Sequence, residues 1–201
     1  MESIENQVYT NIVFDEPDFS DKRIVKCEFN GCTFTGARLE DIETQKCSFI
    51  NCNLKCARLN ASTHEGTAFT NCRFDYANLF SASFRECKMT GSSFVEANIS
   101  GINIIKGDWS YTNLKLSNLK GLDLRQVRFL YADLYKCNME KADLRGADLS
   151  HAILSQANLQ GADLRDAIIN GVDLKNICLK GTRLDISQAV RLACAYGAIV
   201  E

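Results

Sequence analysis

In the stretch ADLRGADLSHAILSQANLQGADLR, residues 142–165, a leucine returns at every fifth position and an alanine stands two places before each. Five suits neither common period. Five residues advance an α-helix by roughly 500°, off the starting stripe, and five steps along a strand end on the opposite face of the pleat. If every fifth residue is to enter one core, the chain must turn once per unit and coil around its own side chains.

The register runs from residue 14 to residue 184. Of its 35 positions all but Thr44 and His64 hold Phe, Leu, Ile, Met or Trp, and ten of the eleven phenylalanines fall there. The residue two places earlier is usually small, Ala or Cys, as at Ala77, Ala82 and Ala97. Spacings of 20 then set the number of units per lap. Phe29, Phe49 and Phe69 are 20 apart, as are Cys32, Cys52 and Cys72, the two exceptions Thr44 and His64, and the three Asp-Leu-Arg triplets starting at Asp123, Asp143 and Asp163. Four units per lap stack each set into a column with the ~4.8 Å spacing of paired strands. The expectation is an all-β, four-sided solenoid over residues 1–184, of roughly nine laps and on the order of 40 Å long.

The pattern Ala-(Asp/Asn)-Leu, as in Ala132-Asp133-Leu134, Ala142-Asp143-Leu144 and Ala162-Asp163-Leu164, resembles the pentapeptide-repeat proteins. The resemblance covers residues 14–184 and implies a right-handed quadrilateral β-helix. That hand agrees with the general chirality of parallel crossovers.

The repeat stops after Leu184, and a solenoid needs a cap against end-to-end growth. Asp185 followed by Gln188 predicts a capping box. Ala189, Leu192, Ala193 and Tyr196 predict one helical face, and Gly197 a C-terminal stop. Residues 185–201 are therefore expected to form a short capping helix and tail. Val190, Ile199 and Val200 add more apolar surface than a cap needs, which predicts a two-fold homodimer through this segment, with Val190, Leu192, Ala193, Tyr196, Ile199 and Val200 at its interface.

Thr44 and His64 interrupt the apolar column on two successive laps. They predict a weakly packed wall, with His64 reaching water or lining a pocket as ligand or proton-transfer group. The neighbouring acids make this side a candidate contact surface. With the N-terminal carboxylates the set is Asp15, Glu16, Asp18, Asp21, Glu40, Asp41, Glu43 and Glu65.

Composition removes several classes. No Gly-rich phosphate loop, H-E-x-x-H or G-x-S-x-G motif occurs, so neither catalysis nor a cofactor is expected. Eight Asp and eight Asn precede the inward residue, which points to turn geometry rather than paired catalytic acids. Seven of the ten cysteines, Cys27, Cys32, Cys47, Cys52, Cys72, Cys87 and Cys137, fall at the small inward position as compact fillers. Their C-x4-C spacing lacks a zinc knuckle, so no metal is expected. The N-terminus lacks the basic region of a secretory signal and nothing spans a membrane, so the cytoplasm is the expected location.

A terminal helix followed by Gly197-Ala198-Ile199-Val200, the early EPDFSDKRIVKCEF and the DWSYTNL around Trp109 resemble the Qnr and MfpA group of quinolone-resistance proteins. That resemblance implies a dimeric rod that binds DNA gyrase or topoisomerase IV and relieves fluoroquinolone inhibition, its acidic surface mimicking duplex DNA. The unbroken register sets the chain with loopless members. Net charge is only −2, with residues 1–100 holding 14 acidic and 10 basic side chains and residues 101–201 holding 11 and 13. The acidic N-terminal laps are thus the expected binding surface. A general protein-interaction scaffold with another partner is the alternative, and direct nucleic-acid binding is disfavoured by the acidic balance.

Overall fold

The computed structural model describes residues 2–14 and 17–200. Ten three-residue strands occupy the first laps: β1 (Ser3–Glu5), β2 (Val8–Thr10), β3 (Arg23–Val25), β4 (Glu28–Asn30), β5 (Glu43–Gln45), β6 (Ser48–Ile50), β7 (Thr63–Glu65), β8 (Ala68–Thr70), β9 (Ser83–Arg85) and β10 (Asn103–Ile105). They form two parallel sheets, ordered β1-β3-β5-β7-β9-β10 and β2-β4-β6-β8. Every paired residue lies 20 positions from its partner, from Ser3 with Arg23 onward. Beyond β10 the same offset continues as single-residue bridges to Asp163 with Arg183. Four sides per lap, inferred from recurrences of 20, is the observed architecture.

The columns are filled as the register predicts. Tyr9, Phe29, Phe49 and Phe69 stack with ring centroids 5.0, 4.5 and 4.7 Å apart and planes within 15°. Parallel in-register pairing puts equal side chains directly over one another, so a phenylalanine at one lap favours a phenylalanine at the next. The seven inward cysteines are buried, and all ten are free thiols. They do more than fill space. Cys47, Cys52, Cys72 and Cys137 each donate through Sγ to the carbonyl 23 residues earlier, at 3.2, 3.3, 3.3 and 2.8 Å. Ser92 Oγ makes the same bond to Phe69 at 2.8 Å. A small residue with a donor tip therefore suits this slot better than alanine alone.

Each corner needs a left-handed residue two places after the inward one. Among the described residues, 24 non-glycine side chains hold φ between 52° and 63°, and none is β-branched. Such a conformation costs about 1 kcal/mol for an ordinary residue, and branching at Cβ raises the strain. The lap-to-lap hydrogen bonds offset it. Ten of the twelve glycines stand at these corners, between Gly31 and Gly181.

Helix α1 (Ile186–Ala195) closes the coil with the expected capping box on Asp185. Its end is a Schellman turn, with Gly197 N–H donating to Cys194 and Ala198 N–H to Ala193 at 2.9 and 3.0 Å. The buried face differs from the predicted one: Gln188, Leu192 and Ala195 turn inward, whereas Ala189 and Tyr196 are exposed. The reason is polar. The last lap leaves the Leu164 and Ala167 carbonyls open, and Gln188 Nε2 donates to both at 2.6 and 2.8 Å while its Oε1 accepts from Asp185 N–H. Satisfying two buried acceptors outweighs a more apolar alternative. Replacing Gln188 by Ala should lower unfolding free energy in urea by roughly 2–4 kcal/mol, because both carbonyls lose their partner without access to water.

Candidate functional site

The acidic set converges on one side of the N-terminal laps. Asp21 and Asp41 occupy the same left-handed corner on successive laps. Asp18 lies on the side before that corner, and Glu43 and Glu65 on the sheet after it. Asp15 and Glu16 lie outside the described residues. Bases interleave with the acids. Arg38 pairs with Asp18 at 2.9 Å and Glu40 at 3.9 Å, Arg58 with Glu40 at 3.8 Å, and Arg23 with Glu43 at 4.0 Å. Asp18 is held below the usual carboxylate range first by hydrogen bonds from Ser20, with Arg38 adding to it. Of the described members of the set, Asp21, Asp41 and Glu65 have no ion pair, and neither has Glu5 in the column of Glu65, so the surface is a mixed field of paired and free carboxylates. The later laps carry the same cancellation further. Asp123, Asp143 and Asp163 stack, and Arg125, Arg145 and Arg165 each form a two-point clamp on their own Asp, with the closest contact at 2.6 Å. The Arg165 clamp lowers Asp163 to about 2.

Thr44 and His64 are not a loosened wall. They are 3% and 2% exposed, and the void on their core side is about 10 Å³, too small to hold a ligand; an open groove of about 310 Å³ runs over the outer face of the same strands, walled by Arg23, Glu43, Glu65 and Arg85, and the buried imidazole and hydroxyl side chains point away from it into the core network. His64 stacks on Phe84 at 4.7 Å and meets Phe69 edge-on, taking the place of an aromatic in the column. Its polar atoms are satisfied within the core. Nδ1 lies 2.8 Å from Thr44 Oγ1, Nε2 lies 3.0 Å from Ser62 Oγ, and Thr44 Oγ1 lies 3.0 Å from Thr67 Oγ1. Ser62 spends its only proton on the Leu59 carbonyl at 2.7 Å, so it accepts from His64. The proton therefore sits on Nε2, Nδ1 accepts from Thr44, and Thr44 accepts from Thr67. Burial holds the imidazole at about 3. Ser62 and Thr67, both at the small inward slot, are the sequence signal for this network: two hydroxyls beside the two polar positions of the register.

At the other end, the proposed dimer residues divide. Leu192 packs on the core, and Val190 and Ala193 are half-buried. Tyr196, Ile199 and Val200 remain exposed, and Tyr196 Oη donates to the Lys175 carbonyl at 3.1 Å. One surface feature escaped the sequence reading. Tyr111, Tyr131 and His151, again 20 apart, stack along an outer corner with centroids 5.2 and 4.7 Å apart.

The family model for pentapeptide repeats matches eight copies over residues 27–63, 52–91, 67–104, 110–146 and 142–181. The chain belongs to the pentapeptide-repeat family. Its fold is that family's right-handed quadrilateral β-helix. Among solved structures it is similar to trypsin-treated QnrB1, described as a plasmid-mediated fluoroquinolone resistance protein, at 24% identity and a TM-score of 0.87 over 99% of this chain and 100% of that one. Full-length QnrB1 matches at 22% identity and a TM-score of 0.76 over 98% and 100%. At these identities the likeness establishes the shared fold. No curated protein sequence matches the chain. No helix among the described residues is long and apolar enough to cross a membrane.

The buried imidazole makes stability depend on pH. Between its ordinary value near 6.5 and its native value near 3, the unfolded chain binds one proton more than the folded one. This contribution is complete above pH 6.5 and falls by about 1.4 kcal/mol per pH unit as pH drops toward 3. Urea unfolding from pH 7 to pH 4, compared with the variant T44I/S62A/H64F that restores an apolar column, should show a difference in slope of about one proton. Parallel curves would disprove the assignment of a neutral buried His64.

Proposed function

We propose that this pentapeptide-repeat protein is a non-enzymatic cytoplasmic binder of a type II topoisomerase, DNA gyrase or topoisomerase IV, and protects it from a quinolone or a related poison. The observation that carries this reading is the likeness of the chain to QnrB1, which extends over 99% of this chain and 100% of that one. The N-terminal laps are the proposed contact surface, with Asp21, Asp41 and Glu65 among its free carboxylates. The exposed Tyr196, Ile199 and Val200 are proposed to join two copies about a two-fold axis, since self-complementary apolar patches are the usual homodimer solution.

Charge cancellation supports a second reading, an interaction scaffold for a different protein. Arg23, Arg38 and Arg58 dilute the negative field that mimicry of duplex DNA requires, because DNA presents one charge per roughly 1.7 Å of axis. A supercoiling assay with purified gyrase and ciprofloxacin separates the two. Restored or directly inhibited supercoiling at micromolar protein is expected, weakened by D21N/D41N/E65Q, and no effect at any concentration removes the topoisomerase reading. Sedimentation of the wild type and of I199D at micromolar concentration tests the dimer: a wild-type dimer that dissociates in the variant is expected, and a monomeric wild type refutes it.

A further inference from the structure

Among the described residues the lap-to-lap ladder is interrupted near its C-terminal end, where Ile153 and Asp173 do not pair, and more widely in the body of the rod. Between residues 3 and 153, successive laps pair at every side except two, Asn98 with Asn118 and Asn103 with Asp123, among the described residues. As a result β10 is the last strand of its sheet although the coil continues past it. One lap earlier Asn103 N–H donates to Ala82 and Glu86 N–H to Ile105; one lap later Leu124 N–H donates to Asp143 and Gln126 N–H to Arg145. The equivalent bonds from Ile104, Lys106 and Asp123 N–H are absent. The other two sides stay closed here, with Phe94 N–H donating to Asn113 and Trp109 N–H to Arg128 at 2.9 and 2.7 Å.

Two features of this lap account for the opening. Ile102 and Leu122 stack at the small inward slot, where the same column holds Ser62 and Ala82 before them and Ala142 and Ala162 after them. Ile42, a single large residue in the same column, leaves the ladder closed on both sides of it, whereas two in succession wedge the laps apart, since a packed interior does not absorb that many extra methylenes without backbone shift. The chain also kinks: Lys106 and Gly107 are both left-handed, at φ 57° and 98°, and a Cβ on Gly107 would collide with the Cys87 carbonyl oxygen.

The opening is a cleft of about 510 Å³ between β10 and the Asp123–Gln126 corner. Its inner edge offers the Ile104 and Lys106 N–H groups and the Ile102 and Ile104 carbonyls, donor and acceptor alternating at the repeat of a strand. Arg125 and Arg145 are engaged by Asp123 and Asp143; the unpaired charges of the cleft among the described residues are Lys106, at the end of β10, and Asp166, at the far end of the opposite wall, so the strand edge itself carries the positive one. From this the geometry points to a docking slot for an extended segment of a partner protein, added to β10 as a strand and carrying an acidic side chain opposite Lys106. A main chain is the ligand that matches alternating donors and acceptors, and a missing neighbour strand is what such an edge accepts.

The test uses the full chain, isotope-labelled for amide NMR, and the peptide acetyl-Val-Glu-Val-Glu-Val-amide at millimolar concentration. Expected are shifts confined to residues 102–106 and 122–126, and at least ~10-fold weaker binding of the same peptide N-methylated along one edge or with Lys in place of Glu. Lys106→Glu should reverse the preference between the acidic and basic peptides. The variant I102A/L122A should close the ladder, protect the Ile104 and Lys106 amides from exchange and abolish binding. Absence of shifts, equal shifts with sodium acetate alone, or Ile104 and Lys106 amides protected in the free wild type as well as Leu124 would each overturn the proposal.

Discussion

One register governs this protein: residues that face each other on successive laps lie 20 positions apart, joined by N–H to C=O bonds that span 19 or 21 positions. The strands are only three residues long and the later bridges single residues, so no side is stable alone. Stability comes from repetition, each lap covering the polar backbone of its neighbours and adding to a continuous apolar column. The left-handed corners, individually unfavourable, exist because the offset admits no other way to turn four times in 20 residues. The small inward residue follows as well. A cysteine or serine there closes a bond to the carbonyl 23 positions back, tying the corner of one lap to the lap before it.

Where the offset cannot act, a side chain takes its place. At the C-terminal end Gln188 supplies the two donors that the next lap would have supplied. In the interior, Thr44, Ser62, His64 and Thr67 replace an apolar layer by a closed chain of hydrogen bonds, with the imidazole still stacked as an aromatic ring. Both solutions meet the same constraint, that a buried polar group must be paired. At Ile102 and Leu122 no substitute is provided, and the backbone groups of β10 stay open.

The surface is freed from these demands. Outward positions stack in columns as strictly as inward ones, so a single residue choice becomes a ladder: Asp over Asp, Arg over Arg, Tyr over Tyr over His. Adjacent ladders of opposite charge cancel at a distance beyond about 10 Å. The rod therefore presents a patterned but weakly charged face, on which Asp21, Asp41 and Glu65 are among the carboxylates left without an ion pair.

By itself the sequence determined the period, the four-sided lap, the inward residues and the capping box, because each depends on spacing along one chain and repeats often enough to be counted. The glycines at the corners and the paired bulk of Ile102 and Leu122 were equally present in the spacing, and their meaning depended on knowing which slot is small and which is left-handed. Only the tertiary structure decided whether Thr44 and His64 faced water or each other, which face of α1 turned inward, and where the ladder opened. Those outcomes depend on which partner each polar group finds across laps, at distances of about 3 Å, and a difference that small is settled by packing in three dimensions rather than by order along the chain.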